Sequence, residues 1–444
     1  MKNILVLGAG MSSASLIKYL LDHSEEKQWK VWVGDLDVEK ARAKTGNHKN
    51  AEVFEFNVFN DAEKKKAIAR ADVVIYMLPS EYLYLVAEEC VEQQKHIVSS
   101  TYASKEEQLL DDKAKVNGVA LINEMGLDPG IDHMMAKKII DDIHDKGGEV
   151  KGFRFSTGGL IAPDSDDNPW NYKFTWNPRN VIAAGKGVSI YLEKDHVKYV
   201  PYQQLFKRPR KVRIENVGDF EVYANRDSLK YKNLYGLDNI STIFRGTLRR
   251  PGYCEAWDVL VQLGLTDDTF EIENSARMTY RELVESFLPY DENKTIEEKI
   301  SRLTGVAVDS EAMRKIQSTG LLEQEPIEID NATPAHILQK RLEEKWVFGR
   351  KDRDMVAMQH VADYILNGKK KRLTSSMVVY GDAAPHTAMA KTVGLPIAIA
   401  AELLLEGKIK ISGINIPTSR DIYRPILKKL SQEGVSAVWK EEEK

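Results

Sequence analysis

The 444-residue chain is poor in cysteine, with only Cys90 and Cys254. Two thiols cannot build a disulfide scaffold, and the count suits a reducing compartment. A dominant charge is also lacking. Lysine and arginine number 63 against 67 acidic residues, a formal net charge of -4, so the basic face of a nucleic-acid binder is not expected. Long apolar runs are missing as well. Residues 4–7 run straight into Gly8, too short for the core of a signal peptide, and 395–405 is broken by Glu402 and falls short of a membrane span. The nine histidines are scattered and form no cluster of ligand spacing with the cysteines, so no metal is expected. These shortages leave an ordinary globular chain, 43% apolar and 29% charged. It is expected in the cytoplasm, without nucleic acid or membrane partners, and its length allows about three domains.

The first third alternates short apolar runs with helical patterns. Residues 4–7, 31–33, 53–58, 73–78, 97–99 and 119–122 read as strands, and Leu16, Ile17, Leu20 and Leu21 form an apolar stripe at helical spacing between the first two. Near-continuous apolar strands with helical crossovers specify a parallel sheet covered on both faces. The middle changes character. Strand patterns at 150–156, 188–192, 220–223 and 243–248 are separated mostly by turn residues, which predicts an α+β domain with a mixed sheet. From about 253 to 347 the spacing becomes helical. Strand patterns return around Asn367-Gly368, a strong hairpin signal, with Lys369 to Arg372 as a charged tip expected to be a solvated turn. The apolar helix at 387–408 is placed to cover the first domain.

Gly8-Ala9-Gly10 follows the first strand and opens a helix. The first glycine allows a tight turn and the second lets backbone approach a pyrophosphate. The helix start at Met11 and Ser12 then offers free N–H groups and the positive end of the dipole. Ser13 stands where a third glycine is common, a small residue that still permits close packing. Asp35 ends the second strand, where a carboxylate accepts hydrogen bonds from the adenosine ribose and repels a 2′-phosphate. Leu36 and Asp37 follow it, with no arginine. NAD is therefore the expected cofactor, with NADP second. Leu78, Ser99 and Ser100 lie at further strand ends, where open α/β sheets bind ligands. The hydroxyls there serve either a nicotinamide or the local loop backbone.

Three segments carry the candidate substrate chemistry. The first is 126–136, with Asp128, Asp132 and His133 around Gly126 and Gly130, and with Glu124 just before it at the end of the sixth strand. Its plain reading makes Asp128 a helix N-cap and Pro129 the first helical residue, which leaves Asp132 and His133 unexplained. The second joins Thr157-Gly158-Gly159, read as a loop after a strand, to Tyr172 and Lys173, a phenol and an ammonium. Paired glycines admit a ligand or another backbone. The third holds Arg245 and Arg249, four apart on a strand and so on one face. Two guanidinium forks there suit a substrate with several carboxylates, and surface ion pairing is the competing explanation.

Together with the glycine turn, these segments and the stretch Tyr380-Gly381-Asp382 through Met389-Ala390-Lys391-Thr392-Val393-Gly394 resemble the saccharopine dehydrogenases of the glutamate-forming type, also called saccharopine reductases. The resemblance implies a Rossmann domain completed by the C-terminal segment (1–127 and 383–444), a substrate and dimerisation domain (128–252 and 350–382) and a helical domain (253–349). It implies a homodimer that oxidises saccharopine to glutamate and 2-aminoadipate 6-semialdehyde in lysine degradation. It places Tyr102, Asp128 and Arg245 at the substrate, with Asp128 and Tyr102 first in line for proton relay. Thr157 stands where the family carries a cysteine, so a thiol role is not expected. The basic residue that fungal members place after the second strand is absent, which agrees with NAD. A carboxyspermidine-type synthase and a non-catalytic dinucleotide sensor remain as alternatives.

Overall fold

A computed structural model describes residues 1–443. In chain order its strands are β1 (Lys2–Leu7), β2 (Trp29–Asp35), β3 (Ala51–Glu55), β4 (Val73–Tyr76), β5 (His96–Ser99), β6 (Ala120–Ile122), β7 (Glu149–Ile161), β8 (Val188–Glu193), β9 (His196–Pro201), β10 (Arg210–Ile214), β11 (Gly218–Ala224), β12 (Thr242–Arg249), β13 (Asp354–Leu366), β14 (Lys369–Tyr380), β15 (Gly413–Asn415) and β16 (Ala437–Glu443). The chain divides into two compact units. The first takes Met1–Val150, Arg353–Val356 and everything from Ala362 on, and the second takes Lys151–Asp352 and Ala357–Val361.

The first unit is built on a seven-stranded sheet in the order β15-β6-β5-β4-β1-β2-β3, with all its strand pairs parallel. All four residues of β4 (Val-Val-Ile-Tyr) are buried, as a strand covered on both faces requires. Helix Ala14–Asp22 buries Leu16, Ile17, Leu20 and Leu21. Helix Ala388–Leu405 is long and apolar enough to cross a membrane by length and composition, yet 83% of it is buried inside the protein, so it is a core helix. It lies across the start of helix Ala14–Asp22. A Cβ on Gly394 would come within 3.0 Å of the Ser12 carbonyl and of Leu16, so glycine sets the approach. Its first turn donates Ala388 N and Met389 N to the buried Asp354 carboxylate at 2.6 and 3.0 Å. Deeper in, the fully buried Glu402 accepts from Tyr19 Oη at 2.6 Å and Lys429 Nζ at 2.8 Å. Burial raises the Glu402 pKa, but these donors together outweigh it and hold the carboxyl below its usual range. Removing them would cost about 3–5 kcal/mol, because a bare carboxylate would be left in the core.

The hairpin expected at Asn367-Gly368 is present. Both residues have left-handed φ, 51° and 76°, the backbone of a type I′ turn. The charged tip beyond it is paired. Strand β16 runs antiparallel to β14, and Lys369 and Lys371 reach Glu443 and Glu441 at 3.1 and 3.4 Å. The lysine run is answered by the acidic tail of the same chain.

The second unit carries the sheet segment β10-β11-β12-β7, with β8 and β9 continuing antiparallel from β12. The β12–β7 pair is parallel and the β10–β11–β12 meander antiparallel, so the sheet is mixed. Helices follow between 253 and 345, two of them opened by reciprocal capping boxes at Thr279/Glu282 and Thr295/Glu298. Trp170, Tyr253, Trp257 and Trp346 pack as an aromatic core, with ring centroids of Trp170 at 5.2 to 6.2 Å from the others. Thr157 to Gly159 does not form the expected loop. Strand β7 continues through it to Ile161. A Cβ on Gly158 would lie 2.6 Å from the Leu248 carbonyl, so the glycine admits the neighbouring backbone of β12.

Candidate active site

In the first unit β1 ends at Leu7, and Gly8 takes φ +106°, where a Cβ would meet the Met77 carbonyl at 2.7 Å. Gly10 opens the short helical turn Met11–Ser13 with no side-chain cap. A Cβ on Gly10 would meet nothing within 4 Å, so this face of the turn is open. Met11 is exposed and Ser12 half-buried, while Ser13 is buried and donates its hydroxyl to the Gly10 carbonyl at 2.9 Å. Leu78 lies against Gly8 from the end of β4. The fit to a phosphate-bearing dinucleotide is good: a tight glycine, an open glycine and helix N–H groups left uncapped.

Asp35 stands at the end of β2 as expected, but its carboxylate is engaged. Oδ2 accepts from Ala9 N at 2.6 Å and Oδ1 from Asp37 N at 2.9 Å. Lys44, which sequence reasoning missed, reaches the same turn from helix Val38–Thr45. Its Nζ donates to the carbonyls of Ala9, at 2.5 Å, and of Gly10, and to Ser13 Oγ at 3.0 Å. The signal lies in Lys40, Arg42 and Lys44 on one short helix, beyond the residues directly after the strand.

The ends of β5 and β6 are laced together. Met125 N donates to the Ser99 carbonyl and Glu124 N to the Thr101 carbonyl, each at 2.9 Å. Ser99 is buried, and its hydroxyl accepts from Thr101 N at 2.8 Å, so it serves the loop. Ser100 packs against Gly126, and Tyr102 follows, half-buried. The next loop closes on itself. Gly126 N donates to the Pro129 carbonyl and Ile131 N to the Gly126 carbonyl, each at 2.9 Å, while a Cβ on Gly130 would lie 2.0 Å from the Gly126 carbonyl. The helix begins at Ile131 with Gly130 as its N-cap, and the Asp128-Pro129 peptide is cis. The N-cap reading of Asp128 is therefore corrected: the tight glycine loop intervenes, and Asp128 is left half-buried outside the helix.

Asp132 is fully buried and accepts from Gly130 N at 2.6 Å. His133, also fully buried, meets Glu124, whose backbone is left-handed at φ 56°, with Nε2 and Oε2 2.8 Å apart. Burial pulls the His133 imidazolium down, but the carboxylates of Asp132, Glu124 and Asp128 outweigh it and raise its pKa above the ordinary value. The loop thus concentrates three carboxylates around one histidine, a set able to hold and pass a proton. Among the described residues no group of three or more His, Cys, Asp or Glu side chains could hold a metal ion.

In the second unit the register aligns Arg245 with Phe155 and Thr247 with Thr157, so Arg245, Arg249 and Thr157 share one face of the sheet. Both arginines are buried, at 4% and 3% exposure, which removes the surface ion-pair explanation. The Arg249 guanidinium lies 5.0, 5.2 and 5.8 Å from the ring centres of Tyr172, Tyr253 and Tyr223. It donates to its neighbour's carbonyl, Leu248, at 3.0 Å, and its Nε has no partner. Arg245 lies 5.7 Å from the Tyr231 ring. The Thr157 hydroxyl is buried without a hydrogen bond. Lys173, by contrast, is committed: Nζ donates to Asp167 at 2.7 Å and Asp352 at 2.8 Å.

The sheet order and the glycine turn define a Rossmann-type protein with an added mixed-sheet unit. The model of the "Saccharopine dehydrogenase NADP binding domain" matches residues 4–122, and that of the "Saccharopine dehydrogenase C-terminal domain" matches 126–435. The chain belongs to the saccharopine dehydrogenase family. It is 33% identical to the Saccharomyces cerevisiae saccharopine dehydrogenase [NADP(+), L-glutamate-forming] over 97% of both chains. It is also 33% identical to the Arabidopsis thaliana alpha-aminoadipic semialdehyde synthase, covering 95% of this chain and 41% of that longer protein. The bovine mitochondrial enzyme of the same name is 32% identical, with 98% of this chain and 47% of its own length covered. Apo saccharopine dehydrogenase (L-Glu forming) from S. cerevisiae superposes with a TM-score of 0.90, covering 100% of both chains at 31% identity.

The expected preference for NAD is overturned. The family description for 4–122 is NADP binding, and NADP(+) stands in the yeast relative's name. The structure supplies a physical reason. The Asp35 carboxylate is turned toward backbone N–H groups, and a cation absent from the residues directly after β2 arrives from the end of the following helix.

Proposed function

We propose that the chain is an NADP-dependent saccharopine dehydrogenase of the L-glutamate-forming type, working in lysine metabolism. The observation that carries this reading is Arg249, a guanidinium buried in a tyrosine box with no carboxylate paired to it among the described residues. A buried cation without an anion is costly, and a substrate carboxylate would relieve that cost. Saccharopine carries three carboxylates around a secondary amine. Arg245 on the same strand face receives a second of them, and the Thr157 hydroxyl lies on that face as a further donor.

The reaction breaks a C–H bond on the lysine-derived carbon beside the secondary nitrogen. The bound dinucleotide supplies the hydride acceptor. The secondary ammonium must first lose a proton, and Asp128 takes it, with Tyr102 next in the relay. Glu124, fixed by Nε2 of His133, holds negative charge where the nitrogen turns cationic. Water then adds to the carbon–nitrogen double bond. Glu124 takes the proton that the adding water releases, Asp128 returns its own proton to nitrogen, and the carbinolamine collapses to glutamate and 2-aminoadipate 6-semialdehyde as its hydroxyl proton passes back to Asp128. The test is product analysis by mass spectrometry with saccharopine and NADP+ supplied. Equal amounts of glutamate and the semialdehyde support the reading. Turnover of carboxyspermidine alone would instead identify a synthase acting on simpler amines.

A further inference from the structure

Three cations sit on helix Val38–Thr45, and two are matched on that same helix or at its cap. Lys40 pairs with Asp37 at 3.3 Å and Arg42 with Glu39 at 2.8 Å. Lys44 differs. Its ammonium is turned back onto the glycine turn and bonded to neutral oxygens, those of Ala9, Gly10 and Ser13. Asp35 is the acid nearest in effect, yet its two oxygens accept from Ala9 N and Asp37 N. In this fold the end of β2 and the glycine turn flank the adenosine ribose, and a cation there accommodates a 2′-phosphate. Lys44 occupies the turn side of that place with a positive charge that no carboxylate of the described residues neutralises in an ion pair.

We infer that Lys44 is the specificity-determining residue of this chain for the 2′-phosphate of NADP(H), and that Asp35 is tolerated beside that phosphate because two backbone N–H groups hold its carboxylate in the turn. The inference rests on the NADP reading above and names the residue responsible. Burial supports it, lowering the Lys44 ammonium to about 8, with the charge of Lys40 adding to the fall and that of Asp35 opposing it. A dianion alongside restores the proton.

The competing role for Lys44 is that of a brace for the turn. Calorimetric titration of the full chain with 2′,5′-ADP and with 5′-AMP, which lacks only the 2′-phosphate, separates the two. Lys44→Met is expected to weaken 2′,5′-ADP at least tenfold and to leave 5′-AMP within about twofold. Lys44→Arg is expected to keep the preference, and Lys40→Met to leave both affinities unchanged. Equal weakening of the two ligands by Lys44→Met would show a brace and overturn the inference, as would a Lys40→Met variant that alone loses the preference. Should Lys44→Met not fold, wild-type protein decides. Titrations at pH 8 in two buffers of different ionisation enthalpy should show proton uptake with 2′,5′-ADP and none with 5′-AMP, and equal uptake with both contradicts the assignment. A wild type that binds 5′-AMP as tightly as 2′,5′-ADP would instead defeat the NADP reading itself.

Discussion

Arg249 and His133 are both buried, the first without a carboxylate paired to it among the described residues and the second against the carboxylate of Glu124. The Arg249 guanidinium has tyrosine rings around it and bonds the Leu248 carbonyl and the Tyr253 side chain, with no carboxylate paired to it among the described residues. If it awaits a substrate carboxylate, Arg249→Met should raise the KM for saccharopine and lower kcat/KM by about two to three orders of magnitude. Thermal stability should hold or rise, since an unpaired buried charge is replaced by an apolar chain of similar length. A variant that melts far below wild type while its residual activity keeps a normal KM would make Arg249 a structural residue. For His133 the readout is pH. A histidine whose pKa rises on folding stabilises the protein below its unfolded value, 6.5. That contribution is lost as the pH climbs through the higher folded value. His133→Gln should flatten the fall in melting temperature as the pH rises above 6.5, and a variant profile parallel to wild type would contradict the assignment. At this scale the sequence was partly legible. Asp128, Glu124 and Arg245 stood out by type and place. The Glu124–His133 contact did not, because it depends on a loop closed by Gly126 and Gly130 at a separation no periodicity reports. Lys44 escaped because a helix, not the adjoining loop, carries it back to the turn.

Among the elements, the strands of the parallel sheet were the easiest to read. Short unbroken apolar runs such as β4 suit a strand buried in a sheet covered on both faces. Two kinds of element resisted. Strand β15 has three residues, too few for a pattern, and β16 is an acidic tail that becomes a strand because Lys369 and Lys371 stand opposite it. The paired glycines at 158 and 159 signalled close approach, but the partner was the β12 backbone and the segment was strand. Gly158→Ala tests that packing. With Leu248 O and Cβ within 2.8 Å of the new methyl, the β7–β12 pair must separate, at a cost of about 1–3 kcal/mol in urea unfolding. An unchanged midpoint would mean that the space is open and the glycine serves a ligand.

Across the whole molecule, the first unit carries a glycine turn with uncapped helix N–H groups and a loop of carboxylates around His133, and the second presents buried guanidinium groups on one sheet face. Family membership follows from the match along nearly the entire chain. Cofactor choice is where the reading of the sequence failed, since an aspartate at a strand end reads as a ribose acceptor until its hydrogen bonds are seen. Reduced-nicotinamide absorbance, followed after saccharopine is added to the full chain with NADP+ or NAD+ at equal concentration, tests the central claim most directly. The account predicts saccharopine-dependent reduction that is faster with NADP+. No reduction with either dinucleotide, or a clear preference for NAD+, would contradict it.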